Sequence, residues 1–227
     1  MSGDTDLSKF TEVSLLGPPT ERNLRGLCES ALRRRAYGVT VPVGAVALCR
    51  EILGDSDTKV IASLASNHFD VRRYETEVAV DDGAHEIVVS VDHLLEKPEA
   101  VVRELRDIVE AADERIVQAH ISSQTESEIV ASCEAILESG VRFVSLGHVN
   151  PPEKLIESVR AIVGARWGLK VSIGAFQQNI AEPGPEATLA DVGHFQFEQT
   201  LLKRSVGDKR ALIAAGATRL AAVYVAR

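Results

Sequence analysis

Short β-branched runs alternate with helix-patterned stretches along the whole chain, and this alternation narrows the fold more than any other feature. The strand-like runs fall at residues 11–16, 39–43, 59–63, 86–91, 117–122, 143–146, 169–173 and 219–224. Helical patterns occupy 21–37, 45–53, 70–81, 97–112, 126–139 and 152–165. Pro98 stands near the start of one helical stretch and Pro151-Pro152 at the start of another, where a missing N–H costs little. Gly38, Gly83, Gly140 and Gly216 follow helical stretches, as C-terminal glycines do. Strand–helix repeats of this kind predict an α/β fold, a parallel sheet closed as a (β/α)8 barrel of the TIM type. The competing architecture is an open doubly wound sheet. No GxGxxG or GxxxxGK[ST] follows the first strand, which weakens a dinucleotide or P-loop reading. One barrel domain is expected over residues 1–227.

Composition removes several function classes. The net charge is −8, and the densest basic runs, Arg33-Arg34-Arg35 and Lys203-Arg204, lie inside helix-like segments. A nucleic-acid partner wants a clustered basic face, so none is expected. The apolar runs are strand-sized, far short of the roughly 18 residues a membrane span needs, so no membrane partner is expected. The cysteines Cys28, Cys49 and Cys133 are widely spaced with no CxxC, which suits a reducing cytoplasm. The first residues are polar and acidic, with no apolar leader pattern, so a cytoplasmic location is expected.

Successive strand residues face opposite sides of a sheet. Val39, Val41, Ile87, Val89, Ala119, Ile121, Val171 and Ile173 form the apolar parity, expected to face the helices. The other parity holds Glu12, Ser14, Thr40, Ser90, Gln118, His120, Ser122, Ser145, Lys170 and Ser172, which places a polar set along the barrel axis. Buried polar groups need partners or water, so this parity predicts either a site at the C-terminal mouth or a hydrated interior without chemistry.

Lysine is scarce. Of Lys9, Lys59, Lys97, Lys154, Lys170, Lys203 and Lys209, Lys170 alone joins an inward strand position to apolar neighbours. A desolvated lysine has a lowered pKa and adds to carbonyls as an amine. An ion pair with Glu12 is the equal alternative at this stage.

The order and spacing of several motifs resemble the deoxyribose-phosphate aldolase family from about Leu7 to Ala226. The stretches are Thr11-Glu12-Val13-Ser14-Leu15-Leu16-Gly17-Pro18, Leu27-Cys28-Glu29-Ser30-Ala31, Asp82-Gly83-Ala84-His85-Glu86-Ile87, Leu169-Lys170-Val171-Ser172 and Ala215-Gly216-Ala217-Thr218-Arg219. The resemblance implies a TIM-barrel, class I aldolase ancestry. There, a strand-six lysine forms a Schiff base, a strand-seven lysine lowers its pKa, and a strand-four aspartate moves protons. Against the family's GADFVKTS this chain has Gly140-Val141-Arg142-Phe143-Val144-Ser145-Leu146, so Ser145 stands at the Schiff-base position. Against EIDMV it has Glu86-Ile87-Val88-Val89, so Val88 replaces the aspartate, while Lys170 matches the second lysine. Glu12 matches a family acid, and His120 stands at a family glutamate. The family's Gly-Ala-Ser-Ser run on strand eight is Leu220-Ala221-Ala222-Val223 here, so the serine hydroxyls of its phosphate site are gone and a phosphorylated substrate is not expected.

These readings give three functions. The first is a diverged aldolase-like carbon–carbon lyase acting on a small-molecule carbonyl substrate through a Schiff base at Lys170, without a cofactor. Its catalytic residues would be Lys170, Glu12 and His120. Its substrate-binding residues would be Ser145, Ser122, Ser172, Gly174 and His148. The second is an inactive aldolase-like barrel used for binding or assembly. The third is an isomerase or hydrolase using Glu12 and His120, metal-free or metal-assisted. A metal would draw on His68, His120, His148 and Glu12, but no HxH or HExxH spacing supports one, and no metal site is expected. His85 and His93 read as structural or exposed. A lid-like insertion is expected at about 176–210, longer than an ordinary strand-to-helix connection. A homo-oligomer and pairing with a homologous barrel are the open assembly readings.

Overall fold

The computed structural model describes residues 7–91, 97–122, 125–146, 153–175 and 206–225. The strands are β1 (Thr11–Leu16), β2 (Gly38–Pro42), β3 (Lys59–Ser63), β4 (Glu86–Ser90), β5 (Ile116–Ile121), β6 (Phe143–Leu146), β7 (Gly168–Ala175) and β8 (Arg219–Val225). They pair in parallel, in sequence order, and close β8 onto β1. The expected barrel is therefore the fold. The described helices are α1 (Glu21–Arg34), α2 (Val46–Leu53), α3 (Phe69–Asp81), α4 (Pro98–Ala111), α5 (Glu126–Ser139), α6 (Glu153–Val163) and α7 (Val206–Ala214). None is long and apolar enough to cross a membrane. The expected insertion lies outside the described residues, except for 206–210 at the start of α7.

Local chemistry sets these elements. In α1 the Thr20 side chain accepts a hydrogen bond from Asn23 N at 3.3 Å, capping the helix. Leu24, Leu27, Cys28 and Ala31 then recur at helical spacing and are buried against the barrel. Pro98 opens α4, and Val101, Leu105 and Ile108 form its buried stripe. Along the strands, Val39, Val41, Ile87, Val89, Ala119, Ile121, Leu169 and Val171 are all buried in the layer between sheet and helices, as their parity predicts.

One end differs from expectation. The first helix stops at Arg34, and Arg35 takes the left-handed cap conformation at φ 52°. Gly38 is not a helix cap but the first residue of β2. A Cβ there would sit 2.6 Å from Ile61 Cδ1 and 2.8 Å from the Lys59 carbonyl oxygen, so close packing, not backbone freedom, requires glycine. Gly83, Gly140 and Gly216 do have positive φ.

The register orders the barrel interior. In this type of barrel each in-register neighbour steps along the axis by about one residue per strand. One register row runs Ser90, His120, Ser145, Lys170, Arg219 across β4 to β8. It descends from the C-terminal end of β4 to the N-terminal end of β8. The same stepping stacks inward residues in layers drawn from alternate strands. At the floor lie Gly38, Glu86, Phe143 and Arg219. Above them come Glu12, Ile61, Gln118 and Lys170, then Thr40, Val88, Ser145 and Ala221. Ser14, Ser63 and His120 lie nearest the mouth, level with position 172 of β7.

Candidate active site

The two lower layers hold a connected set of charges. Lys170 Nζ donates to Glu12 Oε2 at 2.6 Å and to Gln118 Oε1 at 2.5 Å. Gln118 Nε2 donates to Glu12 Oε1 at 3.1 Å and to Glu86 Oε2 at 2.6 Å. Arg219 Nη1 bridges Glu12 Oε1 at 2.8 Å and Glu86 Oε2 at 2.5 Å. Its Nη2 donates to Glu86 Oε1 at 2.9 Å and to the Tyr37 hydroxyl at 2.7 Å. Tyr37 in turn donates to Glu86. The guanidinium also lies 3.9 Å from the Tyr37 ring centre and 4.5 Å from that of Phe143.

Glu12, Glu86, Gln118, Lys170 and Arg219 are all buried. Two carboxylates face two cations, so the cluster is neutral as a unit. That balance is what makes its burial tolerable, because a single buried charge without its partner is strongly destabilising. Burial alone would raise the pKa of Glu12, but Lys170 and Arg219 overcome it and hold the carboxyl below its ordinary value. Burial and the neighbouring Glu86 push the Tyr37 phenol upward, so it stays protonated and donates. Burial opposes the charge on Arg219, but Glu86 and Glu12 outweigh it and raise that pKa.

The next two layers are built of short side chains. His120 Nδ1 lies 3.0 Å from Ser145 Oγ, and Ser145 is buried. Val88 and Ala221 complete the Ser145 layer with Thr40, whose Oγ1 is buried without a partner among the described residues. An unsatisfied buried hydroxyl costs about 1–3 kcal/mol, and a polar ligand atom would relieve it. Above, Ser14 and Ser63 are half-buried.

The sequence-expected residues divide accordingly. Glu12 and Lys170 meet as the ion pair held open as one alternative above. His120 and Ser145 meet in the upper layers. Ser122 is exposed at the end of β5. Ser172 and Gly174 lie on β7, where the register with β8 shifts between them. His148 and His93 lie outside the described residues. His68 is exposed at the N-cap of α3, and Glu12 lies two layers below His120, so the proposed metal ligands do not converge among the described residues. His85 is structural: Val60 N donates to its Nδ1 at 2.9 Å, and Arg50 Nη1 lies 3.2 Å from its Nε2.

Sequence reasoning missed Arg219, Glu86 and Tyr37. Parity carries a signal for the first two. Leu220 belongs to the apolar set, which turns Arg219 inward, and Glu86 shares the side of Val88 and Ser90. With Glu12 and Glu86 both inward, Lys170 leaves one carboxylate uncompensated, and that imbalance demands a second inward cation.

No family model matches the chain. Among curated proteins, a deoxyribose-phosphate aldolase of Clostridium botulinum (strain Okra / Type B1) is 35% identical over 184 residues, covering 74% of this chain and 86% of that protein. A deoxyribose-phosphate aldolase of Clostridium perfringens (strain SM101 / Type A) is 28% identical over 233 residues, covering 95% and 91%. Among solved structures, an aldolase designated QR15 superimposes with a TM-score of 0.74 at 20% identity, covering 96% of this chain and 91% of that one.

Proposed function

Because the chain belongs to the deoxyribose-phosphate aldolase family, we propose that it is an aldolase-like carbon–carbon lyase for a small aldehyde or ketone, with Lys170 supplying the amine. The observation that carries this reading is the 2.6 Å contact between Lys170 Nζ and Glu12 Oε2 beneath a layer of short side chains. On this reading the Lys170 proton passes by way of the Glu12 carboxylate to solvent before the amine adds. On this reading a substrate carbonyl descends past Ser145, whose side chain is short, toward Lys170 one layer below.

The steps balance without an added cofactor. The neutral amine adds to the carbonyl carbon, and the carbinolamine loses water to give a protonated imine. His120, held by Ser145, removes the proton of the substrate's β-hydroxyl. The adjacent carbon–carbon bond then breaks, and its electron pair moves into the iminium to give an enamine. Protonation of the enamine and hydrolysis return Lys170. Thr40 Oγ1 and Ser145 Oγ offer polar contacts to the substrate, with Ser172 and Gly174 farther along β7.

Borohydride reduction in the presence of glycolaldehyde, acetaldehyde or dihydroxyacetone, followed by peptide mass mapping, tests this. The expected result is a reduced adduct on the Lys170 peptide that disappears in Lys170→Met. No adduct at Lys170 with any of these carbonyls removes the mechanism.

A second reading is favoured by the charge balance itself. Lys170 Nζ is engaged with both Glu12 and Gln118, and Ser145 and Val88 occupy the layer above. On this reading the barrel binds a small metabolite or pairs with another barrel, and carries out no carbon–carbon chemistry. Its test is the double variant Ser145→Lys with Val88→Asp, assayed on deoxyribose 5-phosphate. Cleavage by the double variant and none by the native chain, together with no trapping at Lys170, favours this second reading.

A further inference from the structure

The N-terminal face of the barrel, opposite the mouth, carries a cleft of about 540 Å³ beneath β5 to β8, within the range of small-molecule sites. This face of the fold is ordinarily a stability face. Here its lining is not what stability alone would ask for. Ile116, at the start of β5, is 44% exposed there. Trp167 is half-buried, and the Phe143 ring lies at the start of β6. All three are apolar members of the cleft's lining.

Four arginines line the same cleft, and their pairing differs. Arg219 is committed to Glu12 and Glu86. Arg115 donates to the Ala84 carbonyl at 2.9 Å and reaches Asp113 at 3.4 Å. Arg142 and Arg166 are exposed and make no side-chain hydrogen bond or ion pair among the described residues. They stand on the turns leading into β6 and β7, so Trp167 follows one of them directly. Glu114 is the acidic group in the lining. Two guanidiniums without partners among the described residues, in a cleft also lined by the half-buried Trp167, suit a ligand with a planar ring and an anionic group, since guanidinium binds phosphate and sulfonate through paired N–H donors while the ring stacks.

We propose that this cleft is a binding site for a small planar organic anion, an aryl or nucleoside monophosphate, distinct from the mouth of the barrel. The anionic group lies between Arg142 and Arg166, and the ring lies against Trp167 and Ile116. The site is independent of the lyase reading, because it shares no residue with the proposed substrate contacts.

The single tryptophan of the chain, Trp167, is itself the reporter. Intrinsic fluorescence of the full chain is titrated with AMP, phenyl phosphate, adenosine and inorganic phosphate. The expected result is a saturable change with AMP and phenyl phosphate below about 5 mM, and binding at least about tenfold weaker for adenosine and for inorganic phosphate alone. Arg142→Gln with Arg166→Gln should weaken AMP binding by about tenfold or more. Both side chains are exposed, and the thermal midpoint confirms that the variant is folded. Each single substitution repeats the measurement if the pair is not. The proposal is overturned if neither phosphate ester alters Trp167 emission, if adenosine or phosphate alone matches AMP, or if the folded arginine variants retain native affinity.

Discussion

Lys170 on β7 and Glu12 on β1 are 158 positions apart in the chain, yet their side chains meet at 2.6 Å inside the barrel, across β8. Neither residue can be read alone. The carboxylate that would activate the amine is also the one its Nζ is bonded to, and Arg219 bonds the same carboxylate through its other oxygen at 2.8 Å.

Breaking the pair from one end should cost more than removing both ends. Lys170→Met leaves Glu12 with one cation instead of two and should lose about 3 kcal/mol of stability, in the range for a broken buried pair. Glu12→Gln with Lys170→Met should recover part of that loss, because Glu86 and Arg219 then balance each other. Urea unfolding of the two singles and the double closes the cycle. A double variant less stable than both singles would contradict the account.

Acid stability should track Glu12. Its folded pKa lies below the ordinary value of 4.5, so its contribution is complete above that pH and is lost as pH falls through the folded value. Native protein should therefore lose stability through this window more steeply than Glu12→Gln, read as midpoints of unfolding against pH. His85 acts in a higher window. Burial first, then Arg50 and Lys59, lower its pKa below 6.5, so the neutral ring favours folding above 6.5 and that contribution fades as pH drops. His85→Gln should flatten the slope just below 6.5.

A lysine placed at Ser145 should titrate abnormally low. It would stand in register with Lys170, at a buried position, and both burial and the neighbouring ammonium disfavour its charge. The new amine in Ser145→Lys should have a pKa below about 9, against roughly 10.4 for a free side chain. The pH dependence of reductive methylation, with peptide mapping, measures it. Titration at the free value would show that the axis is wetter than the layers imply.

Phe143 and Gly168 should be coupled. A Cβ at Gly168 would lie 2.1 Å from Phe143 Cδ2, and the ring cannot retreat without leaving Arg219. Gly168→Ala should cost about 1–3 kcal/mol by overpacking, and Phe143→Leu in the same chain should recover part of it. Equal stability of native and Gly168→Ala, measured by thermal unfolding, would refute the contact.

The barrel was legible because strand parity and helix spacing are local. Val39 and Val41, or Ile87 and Val89, declare their side within a few residues. Gly38 was misread for the same reason: its neighbours in sequence belong to a helix end, but the atoms that require glycine, on Lys59 and Ile61, come from the next strand. Height within the barrel is harder still. Glu12, His120 and Lys170 all face the axis by parity, but which of them share a layer depends on the stagger of the closed sheet, a property of all the strands together. That is why sequence put Glu12 and His120 near one ligand set while the structure separates them by two layers. Tyr37 escaped notice because it precedes its strand and bears no periodic signature.

The neutral cluster on the barrel floor also restrains how this chain can change over time. A substitution at Glu12, Glu86, Lys170 or Arg219 that alters charge leaves a buried partner unmatched, so single steps pass through a weakened protein. Departures in this region have to arrive in compensating pairs, or behind a stabilising change made elsewhere. Ser145 and Val88, one layer higher and uncharged, are under no such bond. The chemistry of the upper barrel is free to drift while its foundation stays locked.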